Sequence, residues 1–228
     1  MIEVVVVGEG QTEEMFVKNL LAPALAECGV FVQPRLIATS TRSKGGALAR
    51  PRVLRFLRNT LRERHDTYVT TLFDLYGLSS DFPGRGAVGS GDPLDRVAAI
   101  EAEFHRVVVE EAQCRSERFV PHIQPYEFEA LLFSDVRRFA EAESMWAPFV
   151  GQLEASRQFV ESPEHINDGY DSHPSARLRK LLRPGFHKLR HGLAVAQRIG
   201  LDRIRAECRH FDSWMKRLES LLPLAAQQ

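Results

Sequence analysis

Four carboxylates stand where strand-like runs of the chain end. Glu9 follows the apolar run Ile2–Val7, Asp74 follows Val69–Phe73, and Glu127 and Glu129 follow Phe119–Gln124. In open α/β sheets ligands gather outside the carboxyl ends of the strands, so these acids are expected along one sheet edge. Carboxylates brought together repel unless a proton or a cation joins them. A donor set of oxygens alone suits a hard divalent ion, Mg²⁺ or Mn²⁺. Such an ion bridges carboxylates to phosphate oxygens and polarises a water.

The first of these acids sits in GEGQTEE, Gly8 to Glu14. Glycine-bracketed turns after a buried strand usually hold phosphate through backbone N–H groups and a positive helix end. This turn lacks both the Gly-Lys-Ser/Thr of a P-loop and the third glycine of a dinucleotide fingerprint. Its three acids would repel a phosphate directly, whereas a cation reverses that sign. Glu13 and Glu14, in the first turn of a helix started at Thr12, also complement the helix dipole.

The elements that must position these residues follow from periodicity. Ile2–Val7 is a continuous β-branched run, the signature of a strand buried on both faces. Strands are expected again at Val30–Ala38, Val69–Phe73 and Phe119–Gln124. Helices are expected from Thr12, with Pro23 kinking or ending that helix, and over Arg52–Arg64 and Pro93–Ala112. Leu78–Asp92 reads as a long loop rich in Gly, Pro, Ser and Asp. PYEFEALLFSD runs from the last strand into a helix. Beyond it, helices are expected over Phe139–Phe159, Ser175–Leu182, Leu189–Ile199, Leu201–His210 and Phe211–Leu222. Strands alternating with helices and then helices alone give an α/β fold. The expected organisation is a mostly parallel four-stranded sheet flanked by helices over 1–138, with a helical extension over 139–228 packed on it.

Composition narrows the setting. A hydrophobic fraction of 44% and a charged fraction of 26% are ordinary for a globular domain. No apolar run approaches the roughly 20 residues of a membrane helix, and the first strand-like run is short and contains Glu3, unlike a signal peptide. Cys28, Cys114 and Cys208 are far apart without metal-ligand spacing, which points to reduced thiols in the cytoplasm. The formal net charge is zero, against a protein that coats nucleic acid indiscriminately. The charges are nevertheless separated: Arg42 to Arg64 holds eight basic residues against one acid, Glu63. Arg52, Arg55, Arg58 and Arg62 share one helical face.

Lys44, in the SKGG loop, Arg177, beyond Pro174-Ser175, and Lys188 are the candidate phosphate contacts, able to neutralise charge on a phosphate. The histidines show no zinc spacing and read as structural or surface groups; among them His187, beside Lys188 and Arg190, is the best placed as a base.

Taken together, EGQTE at Glu9–Glu13, FDLYGL at Phe73–Leu78, EFEALLFSD at Glu127–Asp135, PEHIND with PSARL between Pro163 and Leu178, and C-x-x-F-x-x-W at Cys208–Trp214 resemble an uncharacterised bacterial family, the domain of unknown function DUF4276. Its E-G-x-T-E turn and later strand-end aspartate are similar to the TOPRIM fold of topoisomerases, primases and OLD-type nucleases. The resemblance implies a TOPRIM-like, Rossmann-like sheet. It implies Glu9 as general acid/base or metal ligand and Asp74 as metal ligand. The second TOPRIM aspartate, two residues on, is Tyr76 here, so Glu129 or Glu127 is expected to replace it, Glu129 by preference. It further implies phage defence, a DNA or RNA target and an ABC-like or AAA-type ATPase partner; a homo-oligomer is compatible with it.

The leading expectation is therefore an Mg²⁺- or Mn²⁺-dependent nuclease, with Glu9, Asp74 and Glu129 catalytic and Glu127 a further ligand. Two alternatives stand beside it: a catalytically weak module that docks on an ATPase and regulates it, and a phosphohydrolase or phosphotransferase acting on a small metabolite.

Overall fold

A computed structural model describes residues 1–37, 48–87, 89, 91–166 and 172–224. Lys44 lies outside the described residues. The chain divides into two compact units, one formed by 1–123 with 214–228 and the other by 124–213.

The first unit is built on a parallel sheet. β1 (Ile2–Gly8) is its centre, with Val4 to Val7 all buried. β2 (Val30–Leu36) pairs with one side of β1, Val4 opposite Val32. β3 (Thr67–Asp74) pairs with the other side, Gly8 opposite Leu72. The order is β2-β1-β3-β4, where β4 is Phe119–Val120; β5, Ile123–Gln124, also pairs with β3. The sheet is thus mostly parallel and helix-flanked, as expected, but five-stranded. The expected last strand is split because His122, between its halves, gives its carbonyl to the Phe73 N–H and its own N–H to Thr71 Oγ1.

α1 (Gln11–Phe16) and α2 (Ala22–Glu27) are joined by a π-helical turn, Val17–Leu21. Pro23 neither ends nor breaks this helix. Its missing N–H and its ring, which would crowd the carbonyl four residues earlier, are accommodated by the wider turn. α3 (Arg50–Glu63) and α4 (Pro93–Ala112) pack together. Asp92 starts α4 by accepting from the Leu94 N–H at 2.7 Å, with Pro93 at the first helical position.

Arg118 is buried, and its guanidinium donates to the carbonyls of Leu61, Arg64 and Thr67, tying the end of α3 to the start of β3. The last segment closes the unit. Trp214 stacks on His122 with ring centroids 4.4 Å apart and donates its indole N–H to Thr70 Oγ1 at 2.8 Å. Tyr68 donates its hydroxyl hydrogen to the Leu222 carbonyl.

The second unit is helical. It contains α5 (Arg138–Ala142), α6 (Val150–Gln158), α7 (Pro174–Leu181), α8 (Lys188–Ile199), α9 (Leu201–Glu207) and the start of α10 (Arg209–Glu219). The helix expected over Phe139–Phe159 is divided by a 3₁₀ stretch at Ser144–Phe149 containing Pro148, which lacks a ladder donor. Phe128–Asp135, expected as an α-helix, is 3₁₀ throughout. Every residue from Phe128 to Ser134 is buried, so this segment has no solvent face and its packing, not an amphipathic period, sets its form. Phe139, Trp146 and Phe186 form the aromatic core beside it.

Candidate functional site

The first unit brings together Glu9, Asp74 and Gly77. Glu9 is the first residue beyond β1 and Asp74 the last of β3, so adjacent parallel strands deliver both to one edge. β2 lies on one side of β1 while β3 and β4 extend on the other, so the crevice between β1 and β3 is the topological switch point of the sheet. There the Asp74 N–H donates to Glu9 Oε1 at 2.9 Å. A 3₁₀ turn, Leu75–Gly77, follows. Its glycine permits the close approach of Glu9: a Cβ on Gly77 would lie 2.7 Å from Glu9 Oε1 and 2.9 Å from Cδ. The Gly77 carbonyl accepts from the Leu48 N–H at 2.7 Å, which anchors the turn to the chain entering α3.

The other acids of the opening motif have different surroundings. Glu13 is buried, and its side chain packs on Gly8 and Gly10. Glu14 pairs with Lys18 at 2.6 Å. Tyr76, two residues beyond Asp74, is exposed. Arg85, not singled out from the sequence, donates to the carbonyls of Leu75 and Leu78 and so braces the same turn. Burial and neighbouring Arg96 push its pKa down, while Tyr76 opposes this. Its place in the loop PGRG offered no periodic signal.

The second unit gathers a separate set: Glu127, Glu129, His173, Ser175 and Lys188. Tyr126, buried, has φ +62°, a left-handed backbone that costs an L-residue about 1 kcal/mol. This bend leads into Glu127, at the start of the 3₁₀ stretch. Glu127 Oε2 accepts from the Ser175 N–H at 2.9 Å and lies 2.9 Å from His173 Nδ1; Oε1 accepts from the Ser175 hydroxyl at 3.0 Å. Lys188 Nζ is 3.7 Å from Glu127 Oε1 and 2.8 Å from Glu129 Oε2. Burial raises the Glu127 carboxyl, but Lys188, the Ser175 N–H and His173 outweigh it and hold the pKa below the ordinary carboxylate range. Glu129 is wholly buried.

Of the expected phosphate contacts, Lys188 is thus seated against these two carboxylates. Arg177, in α7, donates from Nε to the Ser172 carbonyl at 2.5 Å. His173 and Ser175 are the members that sequence reasoning passed over. They flank Pro174 at the start of α7, and their distance of nearly fifty residues from Glu127 hid the relationship.

A third buried acid is structural. Glu164, in the PEHIND stretch, is fully buried, and its two oxygens accept the His210 and Phe211 N–H groups at 2.9 and 3.0 Å. It satisfies the open N-terminal donors of α10 from outside the helix. Burial raises its pKa, and the two backbone donors only partly offset this.

Glu9 and Asp74 offer carboxylate oxygens, the donor type a hard cation takes, and Gly77 leaves the Glu9 carboxylate space that a side chain would enter. The class defined by these features is a parallel α/β domain with an acidic strand edge at its switch point. The family model described as a domain of unknown function (DUF4276) matches residues 8–219, and the chain belongs to that family. No curated protein and no solved structure matches it. Among the described residues, no helix is long and apolar enough to cross a membrane.

Proposed function

We propose that this chain is a divalent-cation-dependent, phosphodiester-cleaving enzyme of TOPRIM type, a nuclease that works with an ABC-like or AAA-type ATPase in phage defence. One observation carries the reading. The Glu9 carboxylate, fixed by the Asp74 N–H over a residue without a side chain, stands at the switch point of a parallel sheet beside the Asp74 strand end. Glu9 and Asp74 would hold Mg²⁺ or Mn²⁺, which supplies Lewis-acid polarisation of a phosphate oxygen or a water when bound. The chain's own part is to orient the carboxylates and to move a proton. Asp74, through its N–H, fixes Glu9 Oε1, and Glu9 accepts or returns the proton of the attacking water. Arg85 braces the turn that carries Gly77.

The test is cleavage of DNA and RNA by the purified protein, with its ATPase partner, in Mg²⁺ and in Mn²⁺. Glu9→Gln is expected to lower the rate by at least about 100-fold. No cleavage of any nucleic acid in either metal would overturn the reading.

A second reading, a regulatory module docked on the ATPase, is favoured by the exposed Tyr76 at the position where TOPRIM enzymes carry a second aspartate. It wins if calorimetry detects no Mn²⁺ binding and the Glu9→Gln protein keeps its biological activity.

A further inference from the structure

Helix α3 carries an arginine stripe that the acidic edge does not use. Val53, Leu54, Leu57 and Leu61 are buried and fix one face of the helix inward. Arg52, Arg55 and Arg58 fall on the other face, Arg55 exposed and the other two half-buried. Among the described residues none forms a hydrogen bond or an ion pair with these three side chains, and Arg58 Nε is a buried donor without an acceptor.

Three acids of α3 and α4 are engaged elsewhere. Glu63, the one acid on α3, pairs with Arg35 at 2.5 Å. Glu103 and Glu110 on α4 pair with Arg106 at 2.8 and 3.0 Å. Arg62, at the far end of the stripe, donates to the carbonyls of Ala112 and Glu111. Uncompensated guanidinium groups in a row repel one another and gain most from a polyanion.

The stripe also has a direction. The Leu48 N–H donates to the Gly77 carbonyl, and the Leu48 carbonyl accepts from the Ser79 N–H and hydroxyl. The chain therefore enters α3 from the turn that cradles Glu9, and Arg52 lies in the first turn of the helix. From Arg52 to Arg58 the helix rises about 9 Å. That spans about three phosphates on one strand of a duplex, at one per 3.4 Å of axis.

We propose that α3 is the docking track for the backbone of duplex DNA, leading it to the Glu9–Asp74 edge; this rests on the phosphodiester reading above and adds where the substrate lies. A duplex suits the track better than a single strand, because sequence-tolerant single-strand binding relies on exposed aromatic platforms and the one ring on α3, Phe56, is half-buried. DNA suits it better than duplex RNA, because the wide major groove of B-DNA seats a helix whose arginines reach the phosphates at the groove edge, whereas the deep, narrow major groove of RNA does not. Contacts confined to phosphate make the binding sequence-independent.

The test is fluorescence anisotropy with a short labelled DNA duplex of random sequence, in EDTA, across a salt series. The Arg52→Ala/Arg55→Ala/Arg58→Ala protein, checked for folding by its thermal transition, is expected to bind at least about tenfold more weakly. Its log K against log salt slope should be shallower by about 2 to 3. The Lys triple variant at the same positions should recover most of the affinity. An equal charge loss in the second unit, Arg137→Ala/Arg138→Ala/Arg209→Ala, should leave the slope unchanged. No duplex binding by the native chain, equal weakening by the control, or preference for single-stranded DNA or duplex RNA would each overturn the proposal. Cleavage separates the two readings. If the native chain binds through α3 but cleaves nothing in Mg²⁺ or Mn²⁺, the nuclease reading fails and the track stands. If it cleaves DNA while the triple variant binds normally, the track fails and the nuclease reading stands.

Discussion

The Lys188 ammonium lies 2.8 Å from Glu129 Oε2, and Glu129 is wholly buried. A buried carboxylate is tolerated only with compensation, and Lys188, over a third exposed, serves it from the protein surface.

Replacing Lys188 by Met is therefore expected to destabilise the fold. Breaking a buried ion pair costs about 3 to 5 kcal/mol, and the exposure of Lys188 reduces this to about 1 to 3. Glu129→Gln in the same background should recover part of the loss. Urea unfolding of the two single variants and the double variant gives the coupling energy. Additive losses would show that the pair does not interact.

Glu127 gives the second unit an acid-sensitive contact. Its folded pKa is lowered by Lys188, Ser175 and His173 against the opposing effect of burial. A lowered carboxyl contributes stability that is full above its unfolded value, about 4.3, and is lost as pH falls through the folded value below it. The native chain should lose stability on acidification through this window. Glu127→Gln, less stable by about 1 to 2 kcal/mol at neutral pH, should lose less there, so the two denaturation midpoints converge at low pH.

Glu164 should show the opposite sign. Its carboxyl is raised by burial, so its favourable contribution is full below the ordinary carboxyl value and is lost as pH rises through the raised one. The margin of the native chain over Glu164→Gln should shrink across that window. Glu164→Ala, which leaves the His210 and Phe211 N–H groups without their acceptor, should cost about 2 kcal/mol. Thermal unfolding across the pH range tests both.

These contrasts mark where the chain was readable. Continuous β-branched runs placed β1 and β3, and parallel pairing then set Glu9 and Asp74 on neighbouring strand ends. Pro93 marks the start of α4 as a local signal does. By contrast, the Phe128–Asp135 stretch has apolar residues at helical spacing, but it is buried all round, and tertiary packing overrides the period. The left-handed Tyr126 carries no marker, because only glycine or asparagine announces such a backbone. His173 and Ser175 meet Glu127 across nearly fifty residues, a relationship no local pattern encodes. Arg52, Arg55 and Arg58 were visible as a stripe, but their lack of acidic partners depends on Arg35 and Arg106, which lie elsewhere in the chain.

Gly77 supplies the sharpest test of the acidic edge. It is not in a left-handed conformation, so Gly77→Ala carries no backbone penalty. The three atoms nearest its new methyl group all belong to the Glu9 carboxylate, the mobile end of a side chain. Glu9 can swing aside at a stability cost below about 1 kcal/mol. The Asp74 N–H would then lose its acceptor, and Glu9 would leave the strand edge. The expected outcome is an almost unchanged thermal transition together with at least tenfold weaker Mn²⁺ binding by calorimetry, roughly the 1.4 kcal/mol that a displaced charged ligand removes. Unchanged Mn²⁺ affinity in a folded Gly77→Ala protein would mean that the Glu9 carboxylate, as the Asp74 N–H holds it, is not a cation ligand.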